Sequence, residues 1–140
     1  MDPDSPVVRL CAQGMEAESR GRVDDARACF ERAWEARTDD YEGCIAAHYV
    51  ARHQPDDEAT YRWNLLALTL ADRSERDADV TGFYPSLHLN LASSYQALGD
   101  RTAARAHLEA AGALIEVLPD TPYKEFVRSG IGNVRARLAG

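Results

Sequence analysis

Three residue pairs lie four apart, the spacing that puts side chains on one face of a helix: Cys11 with Met15, Cys44 with His48, and His48 with Arg52. Brought together, the first two pairs would offer two thiols, a thioether and an imidazole. That donor set suits a soft ion such as Cu(I), or Zn(II) through three of the four. No C-x-x-C spacing accompanies it, and small buried hydrophobe is the competing role for Cys11, Cys29 and Cys44. An imidazole titrates near working pH, so His48 also has the chemistry of a general base. His53 is five residues from His48 and points elsewhere, toward the turn at Gln54-Pro55. For His53 and His88 a buried, hydrogen-bonded structural role competes with any function. There is no glycine-rich phosphate loop, no H-E-x-x-H and no G-x-S-x-G, and no cofactor is called for.

The 140 residues carry 16 basic and 23 acidic side chains, a formal charge of −7. Fifteen of the basic residues are Arg; Lys124 is the one lysine. An acidic surface argues against a nucleic acid or an anionic membrane as partner, because both require positive charge. The start, Met1-Asp2-Pro3-Asp4-Ser5-Pro6, has neither the basic nor the apolar region of a signal peptide. The longest apolar run, Leu65 to Leu68, is too short to span a bilayer. Three cysteines in no framework spacing suit reduced thiols in a cytosol, so a cytoplasmic location is expected. The length and the 45% apolar content predict one folded domain over residues 1–140.

The elements that must position these groups read as helices throughout. Apolar residues recur at three- and four-residue spacing, and alternating strand patterns are absent. Ser5-Pro6 and Thr121-Pro122 place a capping residue before a proline at the first helical position. Asp39 with Glu42 resembles a capping box, and Asp56, Asp57 and Glu58 set negative charge at a helix start. Gly21, Gly99 and Pro119-Asp120 are stops. Seven helices follow, near 6–20, 23–37, 40–53, 56–73, 84–98, 101–117 and 122–138.

The segment from Gly21 to Ala33 aligns with that from Gly99 to Ala111: a turn glycine, then a small residue, a large apolar residue and an alanine at matching steps. A version occurs at Ala59, Trp63 and Leu66. Upstream helices carry small residues at Gly14, Ala47 and Ala92. The pattern resembles the tetratricopeptide repeat, whose second helix bears an A-x3-F signature. Here it reads Ala26-x3-Phe30, Ala59-x3-Trp63 and Ala104-x3-Leu108. The repeats cover about 7–39, 40–73 and 85–118, with a polar insertion at 72–82 flanked by Tyr61, Trp63, Phe83 and Tyr84. Tyr123, Phe126, Val127, Ile131, Val134 and Leu138 make 122–138 a capping helix.

The resemblance implies an all-α, right-handed superhelix of three hairpins plus that cap, with a concave groove lined by the first helix of each hairpin. The implied groove residues are Cys11, Met15 and Glu18; Tyr41, Cys44, Ile45, His48 and Arg52; and Leu89, Asn90 and Ser93. Some family members hold a peptide carboxylate there with lysines, arginines and asparagines. Asn90 and Arg52 match that kind of residue, but the lysines are absent. The expected function is a binding scaffold for a peptide or partner protein. The alternative is a small-molecule binder or small enzyme, with His48 as base beside Glu18. A homodimer formed by exchange of the cap helix is a third arrangement.

Overall fold

Proline at the first position of a helix gives up an N–H that has no partner there, and its fixed φ suits the helix. Pro6 and Pro122 use this in a computed structural model that describes residues 2–75 and 77–140; Met1, and Arg76 of the expected insertion, lie outside the described residues. The helices are α1 (Pro6–Ser19), α2 (Val23–Ala36), α3 (Asp40–Val50), α4 (Asp57–Arg73), α5 (Asp77–Thr81), α6 (Tyr84–Ala97), α7 (Arg101–Glu116) and α8 (Pro122–Ala139). No strand occurs among the described residues, and none of their helices is long and apolar enough to cross a membrane. Six of the seven expected helices end within a residue of the reading from sequence. The third stops at Val50 and tightens into a 3-10 turn over Ala51–His53. The short α5 lies within the expected insertion.

Side-chain caps form at Asp39, Asp56, Asp100 and Thr121, each accepting from the backbone N–H three residues on. Ser5 precedes α1 in extended conformation but does not cap it. Its hydroxyl donates instead to the Glu42 carboxylate at 2.7 Å. Glu42 therefore completes no capping box; its other oxygen accepts from the Thr38 N–H and hydroxyl.

The described chain forms two compact units, a first running to Val80 and a second over Thr81–Gly140. In the first, α1 pairs with α2 and α3 with α4, and α3 also packs on α1 and α2. The α1–α2 contact has a steric cause. Phe30 is 1% exposed and lies so close to Gly14 that a Cβ there would sit 2.2 Å from its ring. Burying such a ring is worth about 1.5–3 kcal/mol. Ala26 and Ala33 are fully buried beside it and let the helices approach. Gly21 takes φ +75°, and the Arg22 N–H closes the turn on the Ala17 carbonyl.

The second unit repeats these features seventy-eight residues on. Ala92 faces the place of Gly14, Leu108 that of Phe30, and Ala104 and Ala111 those of Ala26 and Ala33. Gly99 takes φ +89°, and the Asp100 N–H bonds the Tyr95 carbonyl. Here α8 packs across both α6 and α7, with Val127, Ile131, Val134 and Leu138 buried in one cluster. Phe126, assigned to that stripe from sequence, is 70% exposed. The one lysine is buried at the start of α8, where Lys124 Nζ donates to the Leu118 carbonyl at 3.0 Å.

One register differs from the reading of the sequence. On α4 the expected trio Ala59, Trp63 and Leu66 is only half-buried, whereas Asn64 and Ala67 are buried. The residues equivalent to Ala26, Phe30 and Ala33 are thus Thr60, Asn64 and Ala67, each thirty-four positions on. Trp63 sits on the flank, edge-on to Trp34 with ring centroids 5.1 Å apart, and the Arg37 guanidinium covers Trp34.

Glycine substitutions separate these environments. Gly14→Ala forces a methyl against a rigid ring and is expected to cost about 1–3 kcal/mol in urea unfolding. Gly132 on α8 has open space around its missing Cβ, so Gly132→Ala is expected to stabilise by about 0.5–1 kcal/mol.

Candidate functional site

The thirty-four-residue register decides which side chains of α3 share a face with those of α1. Val8, Cys11, Met15 and Glu18 map onto Glu42, Ile45, Tyr49 and Arg52. In the sequence-based set on α3, Ile45 and Arg52 coincide with these positions, and Tyr41, Cys44 and His48 each lie one residue before them. Two polar contacts join the first hairpin to α3. Ser5 meets Glu42 at one end, and Glu18 meets Arg52 at the other.

Glu18 is the centre of a three-residue cluster. Its Oε2 accepts from Arg52 Nε at 2.9 Å and lies 2.6 Å from His53 Nε2. An ionised carboxylate can only accept, so His53 carries its proton on Nε2 in this bond. The 3-10 turn is what aims His53: it brings residues 52 and 53 round to the same carboxylate, although they are adjacent in sequence. His53 does turn away from His48, but onto Phe30 rather than the Gln54-Pro55 turn: its ring stacks on Phe30 at 5.9 Å, and Arg27 Nε donates to its carbonyl. Tyr49 stacks on the same Phe30 ring at 5.3 Å. Glu18 and His53 are mostly covered, while Arg52 is about half exposed.

Burial by itself raises the Glu18 pKa, but the hydrogen bonds and charges of Arg52 and His53 outweigh it and hold the carboxyl below its usual range. Burial pushes the His48 imidazole down to about 4, with the nearby Arg52 charge acting in the same direction. A base so depressed is neutral at working pH but weak. The histidine bonded to Glu18 is His53, and His48 packs against the edge of the Tyr49 ring.

The remaining predicted groove residues divide by burial. Cys11, Tyr41, Cys44, Ile45 and Leu89 are buried in the units' interiors, while Met15 is 43% exposed. Burial is also the main cause that pushes the Cys11 and Cys44 thiols up to about 12, which leaves them protonated and unreactive. Among the described residues no group of three or more His, Cys, Asp or Glu could hold a metal ion, so Cys11, Cys44 and His48 form no such centre. In the second unit α8 engages α6 directly. Arg137 donates to Gln96 and Ser93, Tyr123 bonds Ser86, and Gly130 lies against Leu89. Asn90 is half-buried on α6.

Sequence reasoning passed over a second polar cluster. His88 on α6 and His107 on α7 bring their Nδ1 atoms to 2.9 Å. The hairpin turn at Gly99 was the signal that folds these two positions toward each other. Compared with protein-family models, with curated proteins and with solved structures, the chain matches none.

Two of the shifted groups of the first unit, His48 and Glu18, give its stability a distinct pH signature. A lowered histidine pKa means that the unfolded chain takes up its proton first as pH falls below 6.5. Stability from neutral His48 is therefore present above pH 6.5 and is lost as pH falls toward about 4. A lowered carboxyl pKa contributes stability that is present above pH 4.5 and lost at more acid pH. Glu18→Gln is expected to lower stability at pH 7 by about 1–3 kcal/mol through its two partners. Urea midpoints measured from pH 7 to pH 3 check this: the difference from wild type should persist to about pH 4.5 and then shrink.

Proposed function

We propose that this chain is a binding module of the tetratricopeptide type, in which helix hairpins stack in a right-handed superhelix and a peptide or partner protein lies along their first helices. The support is the register: a thirty-four-residue repeat of buried positions in the first unit, and a Gly14–Phe30 hairpin whose counterpart recurs as Ala92–Leu108 in the second. The observation that carries the ligand face is the Glu18–Arg52–His53 cluster. It joins α1 to the end of α3 beside exposed Met15, and so sets paired charges next to a flexible apolar side chain. Met and aromatic surfaces adapt to apolar partners, while the charges fix orientation.

In this reading Tyr49 and Met15 receive an apolar side chain of the ligand, and Arg52 exchanges its bond to Glu18 for an acidic group of the ligand. His53 then keeps the carboxylate paired. The module works in the cytoplasm on a protein partner. With His48 neutral, half-buried and apart from the Glu18 bond, catalysis by that pair gains no support.

The test is a selection of peptides from a random display library on the full chain, followed by affinity measurements. Arg52→Ala and Met15→Ala are expected to weaken the selected peptides about tenfold or more, a change worth about 1.4 kcal/mol. Arg32→Ala on the exposed side of α2 should leave them unchanged. Equal binding by all three variants would place the ligand elsewhere.

A further inference from the structure

The His88–His107 pair is the one place in the second unit where two ligating nitrogens converge. The ring centroids are 5.2 Å apart and the Nδ1 atoms 2.9 Å. The difference is about one ring radius on each side, so the rings meet end to end with their Nδ1 atoms on the line between them. A tyrosine ring flanks each imidazole: Tyr84 lies 6.2 Å from His88, and Tyr95 lies 5.5 Å from His107. Both histidines are half-buried. Burial also lowers the His107 pKa, which favours the neutral form that binds metals.

We propose that His88 and His107 form a two-imidazole site for a two-coordinate Cu(I)-type ion, which bridges α6 and α7 by taking the place of the hydrogen-bonded proton. Once the shared proton has left, two Nδ1 lone pairs face each other along one axis, as a linear ion needs. With metal–nitrogen bonds of about 2 Å, the nitrogens must stand about 4 Å apart, so the rings part by about 1 Å. Tetrahedral zinc would need a smaller separation but would lie off the axis, so both rings would have to swing against their tyrosines. Two ligands suffice for the linear ion, and no third titratable residue is required.

The proton balance is simple. In the hydrogen bond one Nδ1–H donates and the other Nδ1 accepts. On binding, the donor's Nδ1 proton moves through solvent to its own Nε2, leaving two neutral imidazoles with Nε2–H. The ion arrives and stays as Cu(I), no electron is transferred, and no net proton is released. The inference is independent of the peptide face on α1 and α3.

The test is an anaerobic titration of the full chain with Cu(I) against a coloured chelator, in a Cys29→Ser background that removes the half-buried thiol. One ion per chain is expected, with at least tenfold weaker binding in His88→Gln and in His107→Gln. Both Nδ1 nuclei should shift in imidazole nitrogen NMR spectra at one equivalent. Affinity in both variants equal to that of the Cys29→Ser parent overturns the site. So does binding that disappears with Cys29→Ser, the result expected of an adventitious thiol. If either glutamine variant is unfolded by circular dichroism, the NMR titration of the Cys29→Ser chain decides: unshifted Nδ1 signals at one equivalent reject the proposal.

Discussion

Phe30 can enter the α1–α2 interface only because residue 14 has no side chain. Much of the first unit hangs on that fit. The ring fills the space between the helices and offers its faces to Tyr49 and His53. Those two stacks carry the orientation of the α3 end and its 3-10 turn, and His53 in turn holds the Glu18 carboxylate. An apolar packing choice on the first hairpin thus sets the geometry of a charged cluster that reaches the surface. Interiors packed at this density pass small displacements on to their neighbours. A ring shifted by a new methyl at Gly14 therefore alters the cluster as well as the core.

The second unit solves the same packing problem with milder residues and a different lid. Ala92 and Leu108 take the roles of glycine and phenylalanine, and α8 lies over the hairpin much as α3 lies over the first one. The polar contacts repeat too. Arg52 reaches Glu18 from α3, and Arg137 reaches Gln96 from α8, with Glu18 and Gln96 at matching positions of their hairpins. In one case the pair is ionic, and in the other it is neutral on the acceptor side. The ionic version is the one whose strength responds to acid. The one lysine, Lys124 at the start of α8, spends its charge on the Leu118 carbonyl and Asp120 of the preceding loop.

The helices were legible because their punctuation is local. Prolines at first positions, aspartates at caps, and glycines at the two positive-φ turns each act within a few residues. The first and third hairpins were legible for the same reason, since small and large residues there follow the packing closely. The second hairpin misled by one position. Ala59 and Trp63 imitate the signature, whereas the buried residues are Asn64 and Ala67. The polar Asn64 stands where Phe30 stands in the first hairpin, and no hydrophobic pattern marks that exchange. The link from Glu18 to His53 spans thirty-five residues and depends on a 3-10 turn, so periodicity alone could not supply it.

The contact between Trp34 and Trp63 has a consequence for how this molecule can be watched. These are the chain's two tryptophans, and both lie in the first unit with one ring edge-on to the other. The Arg37 cation sits over Trp34. Their emission is a local signal: it reports the α2–α4 contact and is silent about the hairpin and cap of the second unit. Ultraviolet dichroism at helical wavelengths sums over both. Where the two signals part company along a denaturant gradient, the chain is coming apart in stages; where they coincide, its halves share one transition.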